Sequence, residues 1–136
     1  MNYWLLKTEP ETFSWDRLEI EITSMWEGVR NYQARNNLRG MRKGDTAFFY
    51  HSGKIPGIIG LVEIIKEFYP DPTAKDGDWS VVDVRLLRKL KRIVTLQEIK
   101  NIPALQEMYL IRNSRLSVQP VKKEEYNEIL ELESNQ

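Results

Sequence analysis

The sequence has no cysteine and a single histidine, His51. The first absence removes disulfides, thiolate zinc sites, iron–sulfur clusters and thiol nucleophiles together. The second leaves only carboxylates to complete a zinc site, so no metal and no cofactor are expected. Net charge is also missing: 20 Lys and Arg balance 20 Asp and Glu, and the whole-molecule field gives no strong non-specific pull on a polyanion. No stretch approaches the roughly 20 apolar residues needed to span a bilayer. The opening Met1-Asn2-Tyr3-Trp4-Leu5-Leu6-Lys7 reaches a charge after two leucines, with no cleavage pattern and no Gly at position 2. We therefore expect a soluble protein with no membrane partner, in the cytoplasm or, in a eukaryote, the nucleus. The few glycines, among them Gly40, Gly44 and Gly53, are scattered among turns and form neither a Walker nor a dinucleotide motif. Asp71, Asp76 and Asp78 lack the ligand spacing and closing glutamate of a calcium loop, which leaves them a turn-forming role.

What is present suits one compact, monomeric domain over residues 1–136: 41% hydrophobic and 10% aromatic residues are enough apolar surface to offset the entropy of ordering the chain. Residues 3–7 are aromatic and apolar and run into Glu9-Pro10, the pattern of a strand that a proline ends. Ser14 can cap a short helix that places Trp15 and Leu18 on one face. Asn31 can cap a second helix carrying Ala34, Leu38 and Met41, with its arginines facing outward, before the Lys43-Gly44-Asp45 turn. Residues 46–52 and 58–68 read as a hairpin, and Gly60 inside the second run predicts a bulge or a close backbone approach. Residues 69–78 read as a loop and 79–90 as a strand with Val82, Val84 and Leu86 on one face. Thr95 to Glu98 has capping-box spacing and Pro103 suits a first helical position, which predicts two small helices. Residues 115–118 read as a strand ended by Pro120, and Tyr126, Ile129 and Leu130 give a final helix its apolar face. Hairpins mixed with short helices indicate an α+β fold built on a small, mainly antiparallel barrel.

The charges are unevenly spread. Arg30, Arg35, Arg39, Arg42 and Lys43 lie in a stretch without an acid, and Arg85, Arg88, Lys89, Lys91 and Arg92 form a second basic run, while Glu124, Glu125, Glu128, Glu131 and Glu133 make the tail acidic. Such runs serve as solvated faces or, where they meet in space, as a basic patch. Nucleophilic catalysis would need His51 beside a hydroxyl, but Ser52 is its neighbour on a strand and points to the other face, and Ser114 or Ser117 would have to arrive through tertiary structure. A different constellation stands out. Trp26 and Trp79 sit at segment edges among Gly, Asp, Glu and Ser; each can cap the core, or the two can sandwich a flat base whose edge is read by Asn31, Ser52 or a backbone amide. Arg30, Arg35 and Lys7 would then contact phosphates.

Seven ordered blocks carry a family resemblance. They are Tyr3-Trp4-Leu5-Leu6-Lys7-Thr8-Glu9-Pro10, Trp26-Glu27-Gly28-Val29-Arg30-Asn31-Tyr32-Gln33-Ala34-Arg35, Gly44-Asp45, Phe49-Tyr50-His51-Ser52, Tyr69-Pro70-Asp71-Pro72-Thr73, Trp79-Ser80-Val81-Val82-Asp83-Val84 and Arg115-Leu116-Ser117-Val118-Gln119-Pro120-Val121. Together they resemble the EVE domain of the PUA-like superfamily, related to YTH and ASCH domains. The resemblance implies a PUA-like fold, a curved, barrel-like, mainly antiparallel sheet flanked by short helices. It also implies a non-enzymatic reader that accepts a modified base of DNA or RNA into an aromatic pocket. By position, Trp26 becomes the first wall, with Val29, Arg30, Asn31 and Tyr32 beside it. Ser52 lies at a strand end, Trp79 is the candidate second wall and Lys7 lies near the mouth. Arg35 and Arg39 are assigned to the nucleic-acid backbone. The sequence departs from the family in the short 74–78 segment, which reduces a lid, and at Tyr126, where relatives often carry tryptophan. Two other readings remain open: an enzyme acting on a nucleoside or RNA through His51, and a regulatory domain that binds a small metabolite.

Overall fold

The computed structural model describes residues 1–134. Its centre is a six-stranded mixed sheet in the order β2-β5-β4-β3-β1-β6, formed by β1 (Tyr3–Thr8), β2 (Thr23–Met25), β3 (Thr46–His51), β4 (Gly57–Pro70), β5 (Ser80–Thr95) and β6 (Val118–Val121). β1 and β3 pair in parallel and the other pairings are antiparallel. The two end strands, β2 and β6, do not pair with each other, so the expected barrel is an open, curved sheet.

Alternation along the central strands divides the core between the two faces of that sheet. Trp4 and Leu6 of β1 join Ala47 and Phe49 of β3 on one face, beneath α1 (Trp15–Glu21) and α2 (Tyr32–Gly40). Leu5, Phe48 and Tyr50 take the other face, beneath α3 (Leu96–Lys100), α4 (Tyr109–Arg112) and α5 (Lys123–Ser134). Being covered on both sides is what makes β1 and β3 read as nearly continuous apolar runs. Tyr126 of α5 has the packing role that suits a ring there, stacked on Tyr3 at 4.1 Å and tilted against Phe48 at 5.2 Å.

The caps form where the sequence places them. Ser14 accepts from the Arg17 amide, Asn31 from the Ala34 amide and Thr95 from the Glu98 amide. Gly60 combines both expectations for it: the β4–β5 register shifts beside it, and a Cβ there would fall 2.8 Å from the Arg88 carbonyl as well as 2.3 Å from the Trp15 ring.

Several boundaries differ. No local pattern predicts β2; only three residues long, it is held by pairing with residues 83–85 of β5. β4 runs on through Pro70 and β5 to Thr95, longer than the apolar runs alone indicate. β6 lies three residues later than expected and contains Pro120, because an edge strand tolerates a residue that has no N–H to donate. Between β5 and β6 there are three short helical pieces instead of two, with Pro103 opening a 3-10 turn, Pro103–Leu105. The arginines of α2 are also less outward than expected: Arg35 is only 16% exposed and Arg39 28%.

Candidate functional site

The end of β1, the turn into α1, the segment after β2 and the residue before β6 converge on one cavity of about 310 Å³, at the small end of the ~300–1,000 Å³ typical of ligand sites. Trp26 forms its apolar wall. The Trp26 amide continues the β2 ladder by donating to the Val82 carbonyl, which fixes the indole against the sheet. Its ring meets Phe13 at 6.0 Å and Phe49 at 5.7 Å, both edge to face, and only 6% of the residue remains exposed. Phe13, Met25 and Val29 complete the apolar lining.

Charges of both signs rim this surface: Lys7, Arg17 and Arg30 against Glu9 and Glu27. Lys7 reaches across to the Ser114 carbonyl, to which its ammonium donates, and lies 5.5 Å over the Tyr50 ring. Burial lowers its pKa from the ordinary lysine value. Arg30 is anchored by Asp71, whose side chain is fully enclosed. One Asp71 oxygen accepts from the Arg30 guanidinium at 2.9 Å and from the Gly28 amide at 3.1 Å; the other accepts from the Thr73 amide at 2.8 Å and its hydroxyl at 2.6 Å. The turn-forming role expected of Asp71 is thus half of what it does, the other half being to clamp the cavity wall to the β4–β5 loop. Burial alone would raise its pKa, but these hydrogen bonds from Thr73, Arg30 and Gly28 hold it down at about 2.

Of the residues singled out from sequence, Lys7, Trp26, Val29 and Arg30 line the cavity together. Asn31 does not, since its side chain is spent as the cap of α2. Ser52 lies outside as well, its amide and hydroxyl both donating to the Thr8 carbonyl. Trp79 is not an opposing wall to Trp26; it stacks on Tyr32 outside the cavity, centroids 5.1 Å apart and planes 18° from parallel. Arg35 and Arg39 reach Asp78, at 3.8 and 2.7 Å, and tie the β4–β5 loop to α2. His51 also stands apart from the lining. Its Nε2 accepts the Trp15 amide at 3.0 Å at the start of α1, which places its proton on Nδ1 and occupies the lone pair that a general base would use. Sequence reasoning missed Phe13 and Met25, which reach the cavity only through the fold, and did not assign to it Glu27 or Ser117, although both stand in the blocks that carry the resemblance.

A family model for the EVE domain matches residues 2–132. The chain belongs to the EVE domain family. Thymocyte nuclear protein 1 of Mus musculus is 43% identical over 169 residues, covering 99% of this chain and 75% of that protein. That alignment is longer than the 136 residues of this chain, so the mouse protein carries additional residues inside the matched region. A solved structure of human THYN1 protein in complex with 5-methylcytosine containing DNA superposes with a TM-score of 0.93 at 40% identity, covering 100% of this chain and 99% of that one. The YTH domain of Zygosaccharomyces rouxii MRB1, solved with N6-methyladenosine RNA, shares the PUA-like fold at a TM-score of 0.61 and 17% identity, covering 97% of this chain and 86% of that one.

Proposed function

We propose that this EVE domain is a non-enzymatic module that holds a modified base of a nucleic acid in the Trp26 cavity. One observation carries the reading: a buried indole faces a small cavity whose rim bears the cations Lys7 and Arg30. An aromatic face accepts any flat base, and cations at the mouth suit the phosphates on either side of it. The base rests on one indole with Phe13, Met25 and Val29 around it, in place of a two-tryptophan sandwich. 5-Methylcytosine in DNA is the first candidate, because a relative of 40% identity has been solved with DNA containing it; a modified base in RNA is the second. We place the module in the cytoplasm, or in the nucleus of a eukaryote.

Stacking on the indole contributes roughly 1–3 kcal/mol. A methyl filling an apolar niche adds about 0.8 kcal/mol, a preference of about fourfold over the plain base. The test is a tryptophan-fluorescence titration with matched DNA and RNA oligonucleotides bearing plain cytosine, 5-methylcytosine or N6-methyladenine. Trp26→Phe serves as the variant, since Trp26→Ala would remove a wall of the core and cost about 3–5 kcal/mol of stability. Tighter binding of one modified strand, weakened in Trp26→Phe, is the expected result. Equal binding across the set by both proteins would sink the reading.

A further inference from the structure

Tyr32 opens α2 directly after its Asn31 cap, and 67% of it is exposed although its ring is stacked on Trp79. Trp79 is itself held on several sides. The Arg30 guanidinium lies 5.7 Å from its centroid and that of Arg35 5.9 Å, and Arg35 is also 5.0 Å from the Tyr32 ring. Gly77, at φ +87°, brings the loop so near that a Cβ there would fall 2.6 Å from the indole nitrogen. The pair is therefore a fixed aromatic step at the surface, bordered by guanidinium groups. Arg30 belongs to it and to the cavity at once.

We propose that the Tyr32–Trp79 step is the stacking platform for the nucleotide next to the one whose base enters the cavity. The ligand is then a single-stranded stretch rather than an isolated base. Exposed aromatic rings among cations are the surface that unpaired nucleotides use, because every base has a face to stack and every linkage a phosphate to neutralise. Arg30 sets the spacing: one side chain separates the cavity from the step, as one linkage separates neighbouring nucleotides. In a duplex the neighbouring base is already stacked on its own strand and gains nothing from the platform. The inference rests on the cavity reading above, and its test is arranged so that the two can fail separately.

Wild type, Tyr32→Ser and Tyr32→Phe are compared on three ligands. These are the nucleoside 5-methyl-2′-deoxycytidine, a short single-stranded DNA with 5-methylcytosine at its centre, and the same strand with abasic neighbours on both sides of that base. We expect Tyr32→Ser to lose roughly 5- to 150-fold in affinity for the intact strand. The nucleoside and the abasic-flanked strand should be unaffected, and Tyr32→Phe should restore the loss because it keeps the ring. Wild-type affinity of Tyr32→Ser for the intact strand would overturn the platform while leaving the cavity reading in place. An equal loss on all three ligands would overturn it too, by assigning Tyr32 a structural role. If wild type binds none of the three ligands, the platform and the 5-methylcytosine candidate fall together.

Discussion

The Asp71 carboxylate lies fully enclosed beneath the Arg30 guanidinium at 2.9 Å, while the arginine keeps 38% of its side chain exposed on the outer side. A cation on the rim of the cavity is thereby fixed from below by a partner that water does not reach. The same carboxylate holds the Gly28 amide and the Thr73 turn, so the cavity wall and the β4–β5 loop share one anchor.

Asp71→Asn should lower stability by about 2 kcal/mol near neutral pH, the scale of hydrogen bonds made to a charged group. The effect is pH-dependent, with a definite sign. The folded-state pKa of about 2 lies below the ordinary value of 3.8, so the contribution is complete above about pH 4 and fades as the pH falls from 3.8 towards 2. Urea denaturation of both proteins at a series of pH values checks this: their midpoints should converge at the acid end. A gap that stayed constant down to pH 2 would contradict it.

Asp78→Asn should tighten binding of single-stranded oligonucleotides. The Asp78 side chain is 77% exposed and occupies the guanidinium groups of Arg35 and Arg39, which a phosphate would otherwise meet. Exposed ion pairs contribute about 0–1 kcal/mol, so folding should hardly change. The salt dependence of log K should steepen by about 0.7 for each further phosphate that the freed arginines neutralise, the single-strand value. An unchanged slope would mean that these arginines only tether the loop.

His51 should titrate below 6.5. Burial lowers its pKa, with Asp16 and Glu11 opposing the shift, and protonating Nε2 would break the bond from the Trp15 amide. Because the folded state resists the proton, stability from this residue is complete above 6.5 and declines as the pH drops through the lowered midpoint. The chain has one histidine, so its imidazole signals in an NMR titration are unambiguous. A midpoint at or above 6.5, or a proton on Nε2, would refute the assignment.

Gly60→Ala should destabilise the protein by about 1–3 kcal/mol or more. The added methyl would fall 2.3 Å from the Trp15 ring and 2.8 Å from the Arg88 carbonyl, and Trp15 is a core residue only 1% exposed. A drop in thermal midpoint is the measurement; an unchanged midpoint would mean that the indole can shift at little cost.

Much of the local structure is legible in the sequence because its causes are local. Ser14, Asn31 and Thr95 cap helices through bonds that reach only three residues onward, and Gly60 announces a bend within its own strand. The cavity is only half legible. Lys7, Trp26, Val29 and Arg30 stand in blocks whose types already point to stacking and charge. Trp79, by contrast, looks like an equivalent of Trp26, and nothing in its neighbourhood says that Tyr32, 47 positions earlier, claims its face. β2 and the role of Asp71 are hidden for the same reason: the first exists through β5 and the second through Gly28 and Arg30, partners distant in sequence. Pro120 misleads in the opposite way, since a proline ends a strand inside a sheet but not at its margin.

β1 lies between β3 and β6, and its Lys7 amide donates to the Ser117 carbonyl across one wall of the cavity. β1 therefore waits, during synthesis, until residues 118–121 have emerged before its second edge is covered. Pairings so distant in sequence slow folding and leave an apolar strand open in the meantime. The cavity can then form only once β6 has been made, and a ribosome-bound chain that stops short of β6 should lack it and keep an edge on which other chains can aggregate.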